Sequence, residues 1–259
     1  MTMLDWSAEL SGDTKVLKHA EKLFQFPWCR ITGGDGRYFL RSNAFKGDDA
    51  ADAVRDKAAA LVSFTNACVR LAAGPVPPIG IAQVICESAG GGRAVSDMRA
   101  CLCVPRPQPT CPEDDQHLML PFQDAGRLEQ LYRRTGASSS IDLIMQIWSS
   151  RPLDYRDLWV VWDLIRQHVV DEWGRDKESV RSFITEDQQW ATDEEIRRFQ
   201  CTANSIQKAG LDSRHGSFAD PPAECLQSFT RMDAAEARCL IERILKRMLI
   251  EDLEGSGAQ

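Results

Sequence analysis

Between residues 14 and 26 the apolar positions Val16, Leu17, Ala20, Leu23 and Phe24 recur at three- and four-residue steps, the spacing of one buried helix face. Pro27 stops the run. The following WCRITGGDGRYFLRSNAF places strand-forming residues on both sides of Gly33-Gly34-Asp35-Gly36 and predicts two strands joined at that turn. From Asp48 to Ala73 the helical period returns. Val54, Ala58, Leu61, Val62, Phe64, Thr65, Cys68, Val69 and Ala72 form its broad apolar face, and Gly74 with Pro75, Pro77 and Pro78 closes it. IGIAQVICES is β-rich, and VSDMRACLCV, beyond Gly90-Gly91-Gly92, is its expected antiparallel partner.

Residues 105–121 hold five of the twelve prolines and show no period, so they read as a linker. Beyond it the pattern is helical: 124–135, 139–149, 154–173, 192–209 and Met232 to about Leu253. In the last of these, Leu240, Ile241, Ile244, Leu245, Met248 and Leu249 make a strong stripe, with Thr230 or Asp233 followed by Glu236 as a start signal. The expected architecture is α+β. A sheet-and-helix module spans 1–104, the linker 105–121, a mostly helical bundle 122–253, and a frayed tail 254–259.

The most informative stretch runs from Asp187 to Gly216. Thr192 can N-cap a helix while Glu195 reaches back to the cap N–H, and Asp193 and Glu194 suit the positive end of the helix dipole. Ile196, Phe199, Ala203 and Ile206 form its stripe, and Gly210 is the expected stop. The loop at 210–217 then carries Asp212, Arg214 and His215, close in sequence to Trp190 and Asn204. An arginine beside a histidine can bind or protonate an anion. The plainer account is local: Arg214 pairs with Asp212, while His215 and Asn204 bond free carbonyls at the helix end.

Composition narrows the function classes. A formal charge of −7 argues against broad electrostatic attraction to nucleic acid or anionic membranes. No apolar run approaches the ~20 residues that span a bilayer, and the acidic start MTMLDWSAELSGD is unlike a secretory leader, so a cytoplasmic protein is expected. Nine cysteines, several inside apolar segments (Cys29, Cys68, Cys86, Cys201, Cys239), suit reduced buried thiols. Cys101, Cys103, Cys111 and His117 have ligand chemistry but poor zinc spacing, and no metal or other cofactor is expected. The Gly33–Gly36 turn joins strand to strand, unlike a phosphate-cradling loop. Trp148, Trp159, Trp162 and Trp173 fall at helical spacing and read as core. Arg133, Arg134, Arg197, Arg198, Arg238, Arg243, Lys246 and Arg247 are interleaved with acids and read as solvated helix faces.

The C-terminal half, about residues 140–250, resembles a set of uncharacterised bacterial proteins. In these an aromatic-rich helix (DLWVVWDLIRQHV) precedes a W…F…TAN…G…RH element, here Trp190, Phe199, Thr202-Ala203-Asn204, Gly210 and Arg214-His215. The helical outline is also similar to HEPN-type domains. Their ribonuclease members carry an arginine four to six positions before a histidine. Here Arg214 adjoins His215 and Arg166 is two before His168. The resemblance thus implies a binding or scaffolding role.

Two expectations follow. The first is an interaction or accessory protein that meets a protein partner or small anionic ligand through 210–217. The second is a nuclease or nucleotide-processing enzyme, with His215 as general acid/base, Arg214 on developing phosphate charge, and Asn204 or Asp212 orienting the histidine. A homodimer on the last helix would use the same stripe that could instead be intrachain core.

Overall fold

The first strand lies where the hydrophobic pattern announces none. In a computed structural model of the chain, which describes residues 5–47, 50–87, 93–97, 118, 120–150, 153–205, 225 and 230–255, Asp5–Ser11 is β1. Trp6, Ala8 and Leu10 alternate inward, but three apolar positions between polar neighbours make a short signal. α1 (Thr14–Leu23) follows, with the Asp13 side chain accepting from the N–H groups of Lys15 and Val16.

β2 (Cys29–Gly34) and β3 (Arg37–Ser42) form the expected hairpin. Its two-residue turn needs positive φ at both positions, and Asp35 (51°) and Gly36 (77°) supply it. α2 (Ala51–Ala73) ends at Gly74, whose φ of 76° is the left-handed stop expected there. β4 (Gly80–Glu87) and β5 (Arg93–Asp97) complete the sheet.

Strand order is β2-β3-β1-β4-β5, with every neighbouring pair antiparallel. Chain order over β1 to β4 is therefore βαββαβ, the split βαβ arrangement, with β5 added at one edge. α1 and α2 supply the apolar cover: Val16, Leu17, Ala20 and Leu23 from one, Val54, Ala58, Leu61 and Phe64 from the other. Asn66 fastens the entry to β4. Its side-chain amide donates to the Ile79 carbonyl (2.9 Å) and its oxygen accepts the Ile79 N–H (2.7 Å). Both groups are buried, so the residue satisfies backbone atoms that the prolines at 75, 77 and 78 leave without a ladder.

The chain falls into two compact units. The first is drawn from Met1–Pro107, Leu120–Tyr132 and Trp148–Arg151, the second from Gln108–Met119, Arg133–Ile147 and Pro152–Gln259. α3 (Ala125–Ala137) and α4 (Ser139–Ser149) contribute residues to both.

The second unit is helical among its described residues. α5 (Tyr155–Asp171) starts with a capping box between Asp154 and Asp157 and buries Leu158, Trp159, Val161, Trp162, Ile165 and Val169. α6 (Asp193–Ala203) begins with the expected Thr192–Glu195 box but ends six residues short of the expected 209. Its last turn tightens: the Asn204 N–H reaches the carbonyls of Gln200 and Thr202, and Ser205 N–H also reaches Thr202. α7 (Ala234–Gly255) starts where Asp233 and Glu236 cap each other reciprocally, and it packs on α5. Its stripe Leu240, Ile241, Ile244, Leu245, Met248 and Leu249 is buried within the chain itself.

Candidate functional site

Asp212, Arg214 and His215 lie outside the described residues, as do Gly210, Cys101, Cys103, Cys111 and His117. Trp190 and Asn204 are described, at opposite ends of α6. Eleven residues at ~1.5 Å each set those ends about 16 Å apart.

Trp190 is a core residue, 1% exposed. A single π turn over Phe183–Asp187 and the left-handed Gln189 (φ 52°) bring it inward, with its N–H on the Ile184 carbonyl. Its ring meets Trp173 and Phe183 edge to face, at 5.6 and 5.9 Å between centroids. Its indole N–H donates to Glu251 Oε1 (2.9 Å) and its carbonyl accepts from Arg243 Nε (3.1 Å). Arg243 also holds Glu195 (2.6 Å), tying the α6 cap to α7. Every polar group of Trp190 is therefore spent on architecture.

Asn204 is different. It caps the exit of α6 through its backbone, while its side-chain Oδ1 is buried with no hydrogen-bond partner among the described residues. A buried acceptor left unmatched costs about 1–3 kcal/mol, so a donor is called for at this point, where the chain leaves for 206–224.

Two polar clusters that the sequence pattern does not single out occupy the interior of the second unit. In one, Asp252 of α7 accepts from Arg134 of α3 at both oxygens (2.8 and 2.9 Å) and lies 3.2 Å from Nε2 of His168 on α5. Glu172 stands 3.6 Å from the same guanidinium. Burial pushes the Asp252 carboxyl up, but hydrogen bonds and charge from His168 and Arg134 outweigh it and hold it at about 2. Nδ1 of His168 has no hydrogen-bond partner among the described residues. A carboxylate orienting an imidazole is the geometry of an acid–base pair. His168 is 0% exposed, however, and its ring meets Trp173 edge to face at 5.8 Å, so the cluster works as an interior clasp joining three helices. A charged residue at the end of an apolar stripe, and a histidine in a helix apolar nearly all round, were the signals that could have found it.

The second cluster runs along α7. Glu242 sits 2.7 Å from Lys246 Nζ and 3.7 Å from Arg238 Nε, all three at most 5% exposed. Arg238 and Lys246 thus depart from the expected solvated face: at i, i+4 and i+8 they lie on the buried side of the helix. The expectation of reduced thiols also fails at one place. Cys201 of α6 is joined to Cys225, 24 residues on, with 5.4 Å between Cα atoms. Nothing in the local spacing marks such a pair; tertiary folding alone sets two buried sulfurs face to face. Of the cysteines outside this disulfide, Cys29 and Cys68 are buried, and Cys86 and Cys239 half-buried. Among the described residues no three His, Cys, Asp or Glu side chains converge as a metal set.

No family model matches this chain, and no curated protein or solved structure is significantly similar to it.

Proposed function

We propose that the chain is an interaction or accessory protein of the bacterial cytoplasm that recognises an anionic group through residues 210–217, with Arg214 and His215 as the contacts. The observation that supports this reading is the buried Oδ1 of Asn204, six residues before Gly210, which has no hydrogen-bond partner among the described residues. A buried amide oxygen is an acceptor that suits a donor such as an imidazole N–H or a guanidinium. Trp190, in contrast, is taken up by packing and is not part of the recognition surface. No described helix is long and apolar enough to cross a membrane, which is compatible with the compartment.

The experiment is a titration of the full chain with inorganic phosphate and with a short single-stranded RNA, followed by two-dimensional NMR and gel analysis. Saturable phosphate shifts that disappear in Arg214→Ala and His215→Ala, and weaken in Asn204→Ala, are the expected result. RNA cleavage abolished by His215→Ala would replace this reading with the enzymatic one, and unchanged spectra with both probes would remove anion recognition altogether.

A further inference from the structure

Among the described residues of the second unit, Cys201 and Cys225 are the pair joined by a disulfide, and Cys239 is half-buried. Cys201 lies in the last turn of α6, and Cys225 beyond it; both are buried, at 5% and 8% exposure. A chain of 259 residues with an extensive apolar core does not depend on a crosslink to fold, as small secreted domains do. The junction between α6 and α7 is moreover held without the sulfurs. Thr202 Oγ1 accepts the Met232 N–H (3.2 Å), the Tyr155 hydroxyl donates to the Met232 carbonyl (2.5 Å), and Arg198 Nε donates to the Thr230 carbonyl (3.3 Å). These bonds and the Trp190–Glu251 and Arg134–Asp252 contacts are made by groups other than the two sulfurs.

We propose that Cys201 and Cys225 form a reversible dithiol–disulfide switch that ties Cys225 to the last turn of α6 under oxidising conditions. The switch rests on the cytoplasmic compartment proposed above, since in the proteins of reducing compartments disulfides are as a rule transient and redox-sensing. The other buried thiols described here are poor competitors. Burial pushes Cys29 up to about 12 and Cys68 well above its ordinary range, so neither offers a useful thiolate fraction near neutral pH.

The chemistry balances with a small disulfide of two monothiols, such as glutathione disulfide. One protein thiolate attacks it, forming a mixed disulfide and releasing one glutathione. The second protein thiolate then displaces the other glutathione, so two thiols lose two electrons and two protons and two glutathiones are formed. The switch stands whether or not the segment between the cysteines binds an anion.

The test uses the full chain, equilibrated across glutathione redox buffers and read by differential alkylation, peptide mapping and thermal melting. Oxidation is expected to join the Cys201 and Cys225 peptides, lower their alkylation at least tenfold without changing Cys29 or Cys68, and raise the melting temperature by several degrees. Reduction should reverse all three with the far-ultraviolet circular dichroism unchanged. A Cys29→Ala/Cys68→Ala variant should behave as the natural chain, and Cys225→Ser should show neither the link nor the melting shift. The proposal is overturned if the two peptides never join at any buffer ratio, if either cysteine instead joins another, or if the bond yields only when the protein unfolds, which would make it a permanent crosslink.

Discussion

Nε2 of His168 lies 3.2 Å from Oδ1 of Asp252, with the imidazole wholly buried and the carboxylate nearly so. Because Arg134 grips both oxygens of the same carboxylate, three helices meet at one charge. The folded carboxyl titrates near 2 against an ordinary 3.8, so its contribution is fully present above about pH 4 and is lost as pH falls toward 2. That shift corresponds to about 2 kcal/mol. Asp252→Asn should therefore lower stability by roughly that amount at pH 7, and urea melts from pH 6 down to pH 2 should show the gap to the natural chain closing. A gap that stays constant with pH would mean the residue contributes only shape.

Glu242 lies between two buried cations on α7, Arg238 and Lys246. Removing it leaves Arg238 and Lys246 in the interior with their attraction to it gone, a loss of about 3 kcal/mol or more by analogy with broken buried pairs. Glu242→Gln should be strongly destabilising by chemical denaturation, and Glu242→Gln/Lys246→Met should recover part of the loss. A double variant as unstable as the sum of its parts would show that the two side chains do not communicate.

Two glycines of the first hairpin resist alanine for different reasons. A Cβ on Gly33 would sit 2.7 Å from Cε1 of Tyr38 and 3.2 Å from Oε1 of Glu21, which accepts the Gly33 N–H. Tyr38 is buried and cannot swing away freely, so Gly33→Ala should cost about 1–3 kcal/mol. Gly36 has open space around it but a φ of 77°, so Gly36→Ala should cost only the left-handed strain, about 1–2 kcal/mol. Adding Tyr38→Phe leaves both penalties in place; Tyr38→Ala should relieve the first alone, as paired melts would show.

Trp190 separates architecture from recognition. Trp190→Phe removes the indole donor to Glu251 and some packing volume, and should lower stability by about 1–3 kcal/mol while leaving any phosphate response intact. Thr192→Ala, at the cap that Arg243 braces through Glu195, should lose about 1 kcal/mol. A Trp190 variant of undiminished melting temperature that no longer responds to phosphate would reverse the assignment of this residue.

Local signals along the chain were sound where the physics is local. The Thr192–Glu195 box, the Asp35-Gly36 turn and the Gly74 stop depend on a few consecutive residues, and all three stand where their residue types place them. α6 nevertheless stops at Ala203, because a tight last turn at Asn204 competes with a glycine six positions further on. β1 escaped notice because a strand's alternation over seven residues is a weak signal, and its place at the sheet centre comes from pairing with β3 and β4, both distant in sequence.

At the two ends of α6 the candidate residues part company: Trp190 turns into the core, while Asn204 Oδ1 has no partner among the described residues. Period, capping residues and turn chemistry by themselves determined an α+β chain with a hairpin, a long covering helix and a helical C-terminal half, since each of these rests on neighbours within about four positions. The βαββαβ order, the Cys201–Cys225 link, and the burial of Asp252 with His168 and of Glu242 with Lys246 were decided only by tertiary structure. The charges within those clusters look like ordinary surface residues until distant segments close over them, and whether a charge is solvated or enclosed is a property of what packs against it.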